Sequence, residues 1–266
     1  MKFRRIKHLY LALMLAFLYA PIIVLIVYSF NESRSRANWG GFTLKWYAEL
    51  FQDPNIINAL ITTLTIALLS SAIATIIGTI AAVGINSMKK GIKKRVVLGL
   101  TNIPVVSPDI VIGVSLMILF IYIGSLGYHT LLLAHIIFNV PFVILSVLPK
   151  LRQCDGNIYE AALDLGAKPT SAFFKVMLPQ IMPGIITGAM LAFTLSIDDF
   201  IVSFFTAGAG ETNLSILIFS MTRKGINPKI NALSTILFVT VLLMLYLINR
   251  RESKNIKRRE KDAKNY

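Results

Sequence analysis

Six long apolar stretches constrain the fold of this chain more than any other feature of its sequence. Crossing a bilayer core of roughly 30 Å takes about 20 apolar residues in a helix, and each stretch reaches that length. The stretches are apolar on all sides, whereas barrel strands alternate apolar and polar residues over about ten positions. The sequence therefore predicts an all-α polytopic membrane protein with six transmembrane helices. The predicted spans are Leu9–Phe30, Ile56–Ile85, Val96–Gly124, Tyr128–Leu148, Pro183–Thr206 and Lys229–Asn249.

The composition favours a membrane protein over a soluble one. Hydrophobic residues make up 55% of the chain and charged residues 15%, and the mean hydropathy is +0.69. A soluble domain carries about 25% charged residues, and a disordered chain would be far less apolar. The single cysteine, Cys154, excludes an internal disulfide bond and a cysteine-based metal cluster.

The distribution of basic residues predicts the orientation. Of the 27 Lys and Arg residues, 21 lie in segments predicted inside and 6 in segments predicted outside, so the positive-inside rule places both termini in the cytoplasm. The chain is predicted to comprise a cytoplasmic N-terminus (residues 1–8), a six-helix transmembrane domain (9–249) and a basic cytoplasmic tail (250–266). We expect the tail to contact anionic lipid rather than nucleic acid. The first stretch exceeds a signal-peptide core of 7–15 residues, which indicates an uncleaved helix.

Two prolines predict a break in the third span. As one straight helix, its 29 residues would measure about 43 Å, which exceeds the bilayer core. The span contains Pro104 and Pro108, so we expect a kink near Ser107–Asp109. Broken backbone at membrane depth is tolerated inside protein or along a wet cavity. The segment is therefore predicted to face a pathway or a partner helix.

The longest loop predicted inside, residues 150–182, is predicted to form two short helices. The first would cover Asn157–Leu165 and end at Gly166. The second would cover Pro169–Leu178 and end at Pro179. Apolar residues at helical spacing give the first helix an apolar face. Such a face is typical of an amphipathic helix on the membrane surface or of a docking element for a cytosolic partner.

The same loop carries a motif with fixed spacing. Glu160-Ala161-Ala162 is followed after three residues by Gly166 and after nine more by Val176-Met177-Leu178-Pro179. This run resembles the EAA motif of ABC importer permeases and departs from it only by Val176 in place of isoleucine. The resemblance implies a type I ABC importer permease fold and a coupling loop that sits in a cleft of an ATP-hydrolysing subunit. The implied coupling residues are Glu160, Ala161, Ala162, Gly166, Leu178 and Pro179.

Four other runs resemble the polyamine-transporting members of that family. They are Tyr28–Asn31, Asn38–Tyr47, Ser107–Val111 and Phe193–Asp199. The resemblance implies spermidine or putrescine as substrate, a bacterial inner-membrane location, a second homologous permease, two ATP-binding subunits and an external substrate-binding protein. The sequence has no Walker A pattern, so we expect no enzyme activity, no catalytic residue and no cofactor or metal in this chain. ATP and Mg²⁺ would belong to the partner subunits.

Three carboxylates at predicted membrane depth indicate a substrate pathway. Asp109, Asp198 and Asp199 would each cost about 2.5–3.5 kcal/mol at the bilayer centre, so they are expected to face a cavity or an ion partner. Carrying a polyamine requires separated negative charges for its ammonium groups. Asp198 and Asp199 lie about 100° apart around a helix, so one would line the route while the other holds a neighbour, and the sequence leaves open which. Ser196 shares the Asp199 face and joins the predicted pathway. The alternative is that the acids are packed between helices or protonated.

Aromatic residues add a further candidate. Trp46 is predicted to contribute to the pathway, because a ring face attracts an ammonium group by about 0.5–2 kcal/mol and because the resemblance includes its Lys-Trp-Tyr context. The alternative for Trp39 and Trp46 is an interfacial aromatic belt. His135 lies six residues from His129, which is not ligand spacing on one helical face. Packing or hydrogen bonding is therefore the expected role of His135.

Two other functions stay open. One is the same type of ABC permease for another substrate, such as ferric ion, thiamine or an organic anion, although three membrane acids disfavour an anion. The other is an ion-coupled secondary carrier or a cation channel that uses the three acids as ion sites. The EAA motif disfavours this second alternative, and so does the lack of an inverted repeat.

Overall fold

Helices account for the regular structure of the chain. The computed structural model describes residues 2–34, 38–154, 156–223, 228–240 and 242–243, and regular structure there is helical apart from one isolated bridge between Asn31 and Phe42. The helices are α1 (Lys2–Ser29), α2 (Lys45–Phe51), α3 (Pro54–Ser87), α4 (Ile92–Val106), α5 (Asp109–Ile123), α6 (Tyr128–Gln153), α7 (Gly156–Asp164), α8 (Pro169–Ala172), α9 (Leu178–Asp198), α10 (Ile201–Thr206), α11 (Leu214–Arg223) and α12 (228–240), and a π-helical segment, Phe173–Met177, joins α8 to α9. The predicted all-helical class is confirmed.

Several of these helices are long and apolar enough to cross a membrane. The described residues contain four such stretches, or five if the bent pair α4 and α5 counts as one. Helices α1, α3 and α6 coincide with the first, second and fourth predicted spans. Of the sixth, Lys229–Asn249, the first part lies in α12. The rest of that span and the basic tail lie outside the described residues.

The third predicted span is broken where its prolines predict. Helix α4 ends at Val106, α5 begins at Asp109, and the two helices meet at 105°. Ser107 and Pro108 have extended backbone, with ψ of 143° and 136°. Because proline disfavours helical backbone at the residue before it and lacks an N–H group, the helix cannot continue through this pair. The prediction of a kink near Ser107–Asp109 is confirmed.

The fifth predicted span, Pro183–Thr206, is not one continuous helix, and its helical stretch begins earlier than predicted. A continuous helical stretch begins at Pro169 and ends at Asp198, and α10 starts only at Ile201. Its C-terminal end is set by Asp199, whose ψ of 123° leaves the helical region. No proline or glycine marks this break.

The prediction that Pro179 ends a short helix is also wrong. Pro179 lies in the first turn of α9, directly after the π-helical segment. There the N–H of Leu178 bonds to the carbonyl of Phe173, five residues back. Pro179 lacks the N–H that would continue the hydrogen-bond ladder, and the wider π-helical turn directly before it lets the helical stretch pass through without a break.

The chain divides into two compact units. One comprises Met1–Ile57 with Ile218–Tyr266, and the other comprises Asn58–Leu217. In the first unit, the most apolar part of α1 is exposed along its length. In the second unit, α6 is the most buried of the long helices.

Helices α6 and α9 form the centre of the second unit through glycine contacts. A Cβ added at Gly184 would lie 3.0 Å from the Ser146 carbonyl oxygen, and one at Gly188 would lie 3.2 Å from the Val143 Cα. Small residues allow two apolar helices to approach closely where the surrounding lipid provides no hydrophobic force. This contact fixes α9 against the buried helix α6.

Candidate substrate pathway and coupling loop

The loop helix α7 ends in a glycine-dependent turn. Gly166 has a φ of +85°, its N–H bonds to the Leu163 carbonyl, and the N–H of Ala167 bonds to the Ala162 carbonyl. These two bonds form a Schellman motif, which requires left-handed backbone at its glycine. The prediction that Gly166 ends the first loop helix is confirmed. The motif glycine therefore sets the direction in which the chain leaves α7.

The motif face of α7 is uncovered in this chain. Glu160 and Ala161 are exposed and Ala162 is half-buried, while the apolar Leu165 is 89% exposed. Within the described part of the chain, Glu160 has no ion pair or side-chain hydrogen bond. A free carboxylate beside small and apolar residues is a surface suited to a protein partner with a basic group.

One continuous helical stretch joins the coupling loop to the candidate pathway. Residues Pro169–Asp198 form 30 helical residues, which corresponds to about 45 Å. Leu178 and Pro179 lie in this stretch, and Leu178 with Phe173 and Phe174 lines an apolar cavity of about 550 Å³ against α3. The two ends of the stretch are the loop and Asp198.

Asp198 and Asp199 lie in different environments. Asp198 is the last residue of α9 and is exposed, whereas the Asp199 side chain is 6% exposed. Within the described residues Asp198 has no ion pair or side-chain hydrogen bond. Of the two acids, Asp198 has the carboxylate accessible to a ligand.

The Asp199 carboxylate caps α10. It accepts the backbone N–H groups of Val202 at 3.2 Å and Ser203 at 2.7 Å, and the Ser203 hydroxyl at 2.8 Å. His135 Nε2, on α6, lies 3.6 Å from Asp199 Oδ2 and 2.9 Å from Ser203 Oγ. An aspartate that accepts the first N–H groups of a helix satisfies them, and here it explains why the chain breaks after Asp198.

Ser196 is enclosed by a second polar cluster. Its side chain is 1% exposed, lies 2.9 Å from Ser70 Oγ and accepts the Asn139 amide at 2.7 Å. Ser196 therefore holds α9 against α3 and α6.

The expected hydrogen-bonding role of His135 is confirmed, but the role of Asn139 was not predicted from the sequence. The signal for both was a His and an Asn four positions apart in an apolar span, which lie on one helical face.

Asp109 lies at the same end of a helix pair as Asp198. A Cβ at Gly113 would lie 3.3 Å from the Ile201 carbonyl oxygen, and one at Gly208 would lie 2.5 Å from the Leu126 carbonyl carbon. These two contacts show that α5 and α10 run parallel. Asp109 is the first residue of α5 and is exposed. The break before α5 and the break before α10 thus bring their acids to one end of the pair.

Trp46 belongs to the other compact unit and is buried there. It is 2% exposed, and Lys45, next to it, pairs with Glu49 at 3.7 Å. Lys229 pairs with Glu49 at 3.1 Å and Asp53 at 3.8 Å. These acids of the predicted outer segment are therefore already neutralised by basic side chains, unlike Asp109 and Asp198.

Comparison with known proteins identifies a family. Residues 74–251 match the family described as binding-protein-dependent transport system inner membrane component. The chain is 40% identical over 252 residues to the putrescine transport system permease protein PotI of Escherichia coli K12, covering 91% of this chain and 90% of that protein. It is 43% identical over 232 residues to the spermidine/putrescine transport system permease protein PotC of the same organism, covering 86% and 87%.

Solved structures confirm the fold. A permease chain of a bacterial ABC transporter that imports the acidic polysaccharide alginate superposes with a TM-score of 0.71 at 19% identity, covering 96% of this chain and 98% of that chain. The same type of transporter in complex with an alginate pentasaccharide-bound periplasmic protein gives a TM-score of 0.70, covering 93% and 94%. The predicted permease fold is therefore present at low sequence identity.

Proposed function

The chain belongs to the family of binding-protein-dependent transport system inner membrane components, and we propose that it is the transmembrane permease subunit of an ABC importer for polyamines. Relatives at 40% and 43% identity are named as putrescine and spermidine/putrescine permeases. The observation that carries the substrate assignment in this chain is the pair of exposed, unpaired acids Asp109 and Asp198 at one end of the parallel helices α5 and α10.

The proposed assembly contains four further components. A second homologous permease would complete the pathway, two ATP-binding subunits would hydrolyse ATP with Mg²⁺, and an external binding protein would deliver the substrate. The uncovered motif face of α7 supports contact with an ATP-binding subunit, because Glu160 and the neighbouring Leu165 are both accessible to a partner protein. In this arrangement the chain crosses the bacterial inner membrane six times with both termini in the cytoplasm, which is the orientation that its basic residues favour.

Transport proceeds by alternating access in this proposal. ATP binding brings the partner subunits together and moves the docked helix α7. The helical stretch Pro169–Asp198 carries that movement about 45 Å to the pathway, where it displaces Asp198. The permease pair then opens outward to receive the polyamine, and hydrolysis returns it to the inward state.

The five predicted pathway residues take three roles in this mechanism. Asp109 and Asp198 each bind one ammonium group of the polyamine, and their carboxylates replace the water that this group loses. Asp199 and Ser196 do not line the pathway. Their hydrogen bonds hold α9 and the break that follows it. Trp46 stabilises the fold of the outer segment to which it belongs.

Radiolabelled spermidine uptake tests the proposal. The chain is co-expressed with the partner permease, ATP-binding and binding-protein components of its own system, and uptake is measured with wild-type Glu160, Glu160→Gln and Glu160→Lys. We expect uptake to require ATP and to fall most in Glu160→Lys, which places a cation where a basic partner group is expected. Uptake by this chain alone in ATP-depleted vesicles would contradict the importer function. Transport of a ferric chelate but no polyamine would contradict the substrate.

A further inference from the structure

A buried polar cluster controls the break between α9 and α10. Its members, His135, Asp199, Ser203 and Asn213, are largely buried. We propose that His135 is a positioning residue for transport: its hydrogen bond to Ser203 ties the turn that follows Asp198 to the neighbouring helix α6 and so keeps the Asp198 carboxylate in the pathway. This inference rests on the proposed function for the role of Asp198.

The hydrogen-bond donors and acceptors around His135 show which of its ring nitrogens carries the proton. The Ser203 hydroxyl donates to Asp199 Oδ2 at 2.8 Å and accepts the Asn213 amide at 2.7 Å. Because a hydroxyl has one hydrogen, its third neighbour, His135 Nε2 at 2.9 Å, must donate its N–H to Ser203 Oγ. His135 Nδ1 has no partner among the described residues. The polar contacts of the ring are therefore directed through Nε2 toward Ser203 and Asp199.

The hydrogen bond that His135 donates from α6 adds a link to a distant helix, which the local cap by Asp199 does not provide. Asp199 and the first N–H groups of α10 belong to one short segment, so their bonds fix only that turn. His135 is 1% exposed and lies on the buried helix α6, so its N–H ties the turn to the centre of the second unit. Without this tie the turn keeps its local cap but loses its fixed position against α6, and Asp198 loses its fixed direction.

Thiol labelling measures that direction without relying on transport. The reporter is an Asp198→Cys variant in a Cys154→Ser background, labelled in the assembled complex by a small cationic methanethiosulfonate. In this background His135→Leu removes the donor at similar size. We expect it to slow labelling about fivefold, the factor that corresponds to one hydrogen bond between neutral groups. His135→Gln places an amide N–H near the Nε2 position and should keep the labelling rate.

A second substitution covers the case in which His135→Leu does not assemble. His135→Asn keeps a buried polar group, but its amide is too short to reach Ser203, so it should slow labelling as His135→Leu does. The matched control is Thr130→Val. Thr130 is also buried on α6 and donates to the Thr206 carbonyl of α10 at 2.9 Å, away from Asp199. We expect labelling in this control at the reporter's rate.

The outcomes separate the alternatives. Equal slowing in Thr130→Val and His135→Asn would show a general packing effect and overturn the proposal, as would slow labelling in His135→Gln. In chains with Asp198 intact, His135→Asn should raise the apparent KM for spermidine uptake with assembly preserved. If the wild-type system transports no polyamine while the labelling pattern holds, the proposed substrate fails and the positioning role of His135 stands.

Discussion

The indole Nε1 of Trp46 donates a 2.7 Å hydrogen bond to the backbone carbonyl oxygen of Asn31. Asn31 in turn organises the segment between α1 and α2, because its side-chain oxygen accepts the N–H of Gly40 at 2.8 Å and its amide donates to the Asn38 carbonyl at 3.0 Å. One turn away, the Tyr47 hydroxyl lies 2.6 Å from Ser29 Oγ. These contacts fix the start of α2 to the end of α1.

Replacing Trp46 should lower stability before it alters substrate binding. Trp46→Phe removes the hydrogen bond to Asn31 and keeps most of the apolar volume, so we expect a loss of about 1 kcal/mol. Trp46→Ala removes the volume too and should cost about 3–5 kcal/mol. The measurement is the thermal midpoint of the purified complex beside the uptake KM. Trp39→Phe, at an exposed position, is the control and should leave the midpoint unchanged. A raised KM in Trp46→Phe with an unchanged midpoint would instead indicate direct contact with substrate.

The two adjacent acids should respond differently to neutralisation. Asp198→Asn removes an exposed charge that has no partner within the described residues, so we expect the spermidine KM to rise about tenfold by loss of one charge-assisted contact, with assembly intact. Asp199→Asn weakens the cap of α10 and should lower the thermal midpoint and the yield of complex. Uptake kinetics and yield are measured together.

Asp198→Glu is the matched control for this pair, because it preserves the charge and should keep most of the uptake. The division of roles between the acids is excluded if Asp199→Asn raises KM while yield and midpoint match the wild-type complex.

Local signals explain which parts of this fold the sequence could predict. Pro108 marks the break of the third span and Gly166 marks the end of α7, and in both cases the restriction lies in the marked residue itself. The break after Asp198 carries no such mark. In our proposal its position is fixed by His135, which is distant in sequence and reaches Ser203 only after the helices have packed. The proposal that Asp198 rather than Asp199 lines the pathway therefore rests on the structure.

Pro179 illustrates the opposite error. A proline usually stops a helix, but here the wider π-helical turn directly before Pro179 accommodates it within a continuous stretch. The motif residues of the predicted coupling loop could be found from their resemblance to the EAA motif. Their direct connection to the pathway through one helical stretch could not, because the pattern of residues gives no sign of the π-helical segment.

Gly166→Ala should impair coupling through backbone conformation alone. No atom lies within 4 Å of a Cβ added at Gly166, so the added methyl meets open space, but the φ of +85° disfavours any L side chain. We expect a cost of about 1–2 kcal/mol for left-handed backbone, a displaced exit from α7 and reduced substrate-stimulated ATP hydrolysis by the assembled complex.

Gly91→Ala provides the comparison for Gly166, since it also adds a methyl in open space, at a φ of 170° that any residue adopts. Its stimulated ATP hydrolysis should equal that of the wild-type complex. Equal rates in both variants would show that the turn at Gly166 does not transmit the movement of the loop.

Enlarging Gly113 should separate the two acids of the pathway. An added Cβ would lie 3.0 Å from Phe205 Cδ2 and 3.3 Å from the Ile201 carbonyl oxygen, so α5 and α10 must move apart to accommodate a valine. Overpacking of this kind costs about 1–3 kcal/mol. Because Asp109 begins α5 and Asp198 precedes α10, Gly113→Val should lower the thermal midpoint and raise the KM for spermidine more than for the shorter putrescine. Gly99→Val is the control for this prediction. It lies in a helix with no atom within 4 Å of the added Cβ, carries the same loss of helix propensity and should leave both KM values unchanged. Equal KM changes for the two polyamines in Gly113→Val would mean that the separation of Asp109 and Asp198 does not set the length of substrate that the pathway accepts.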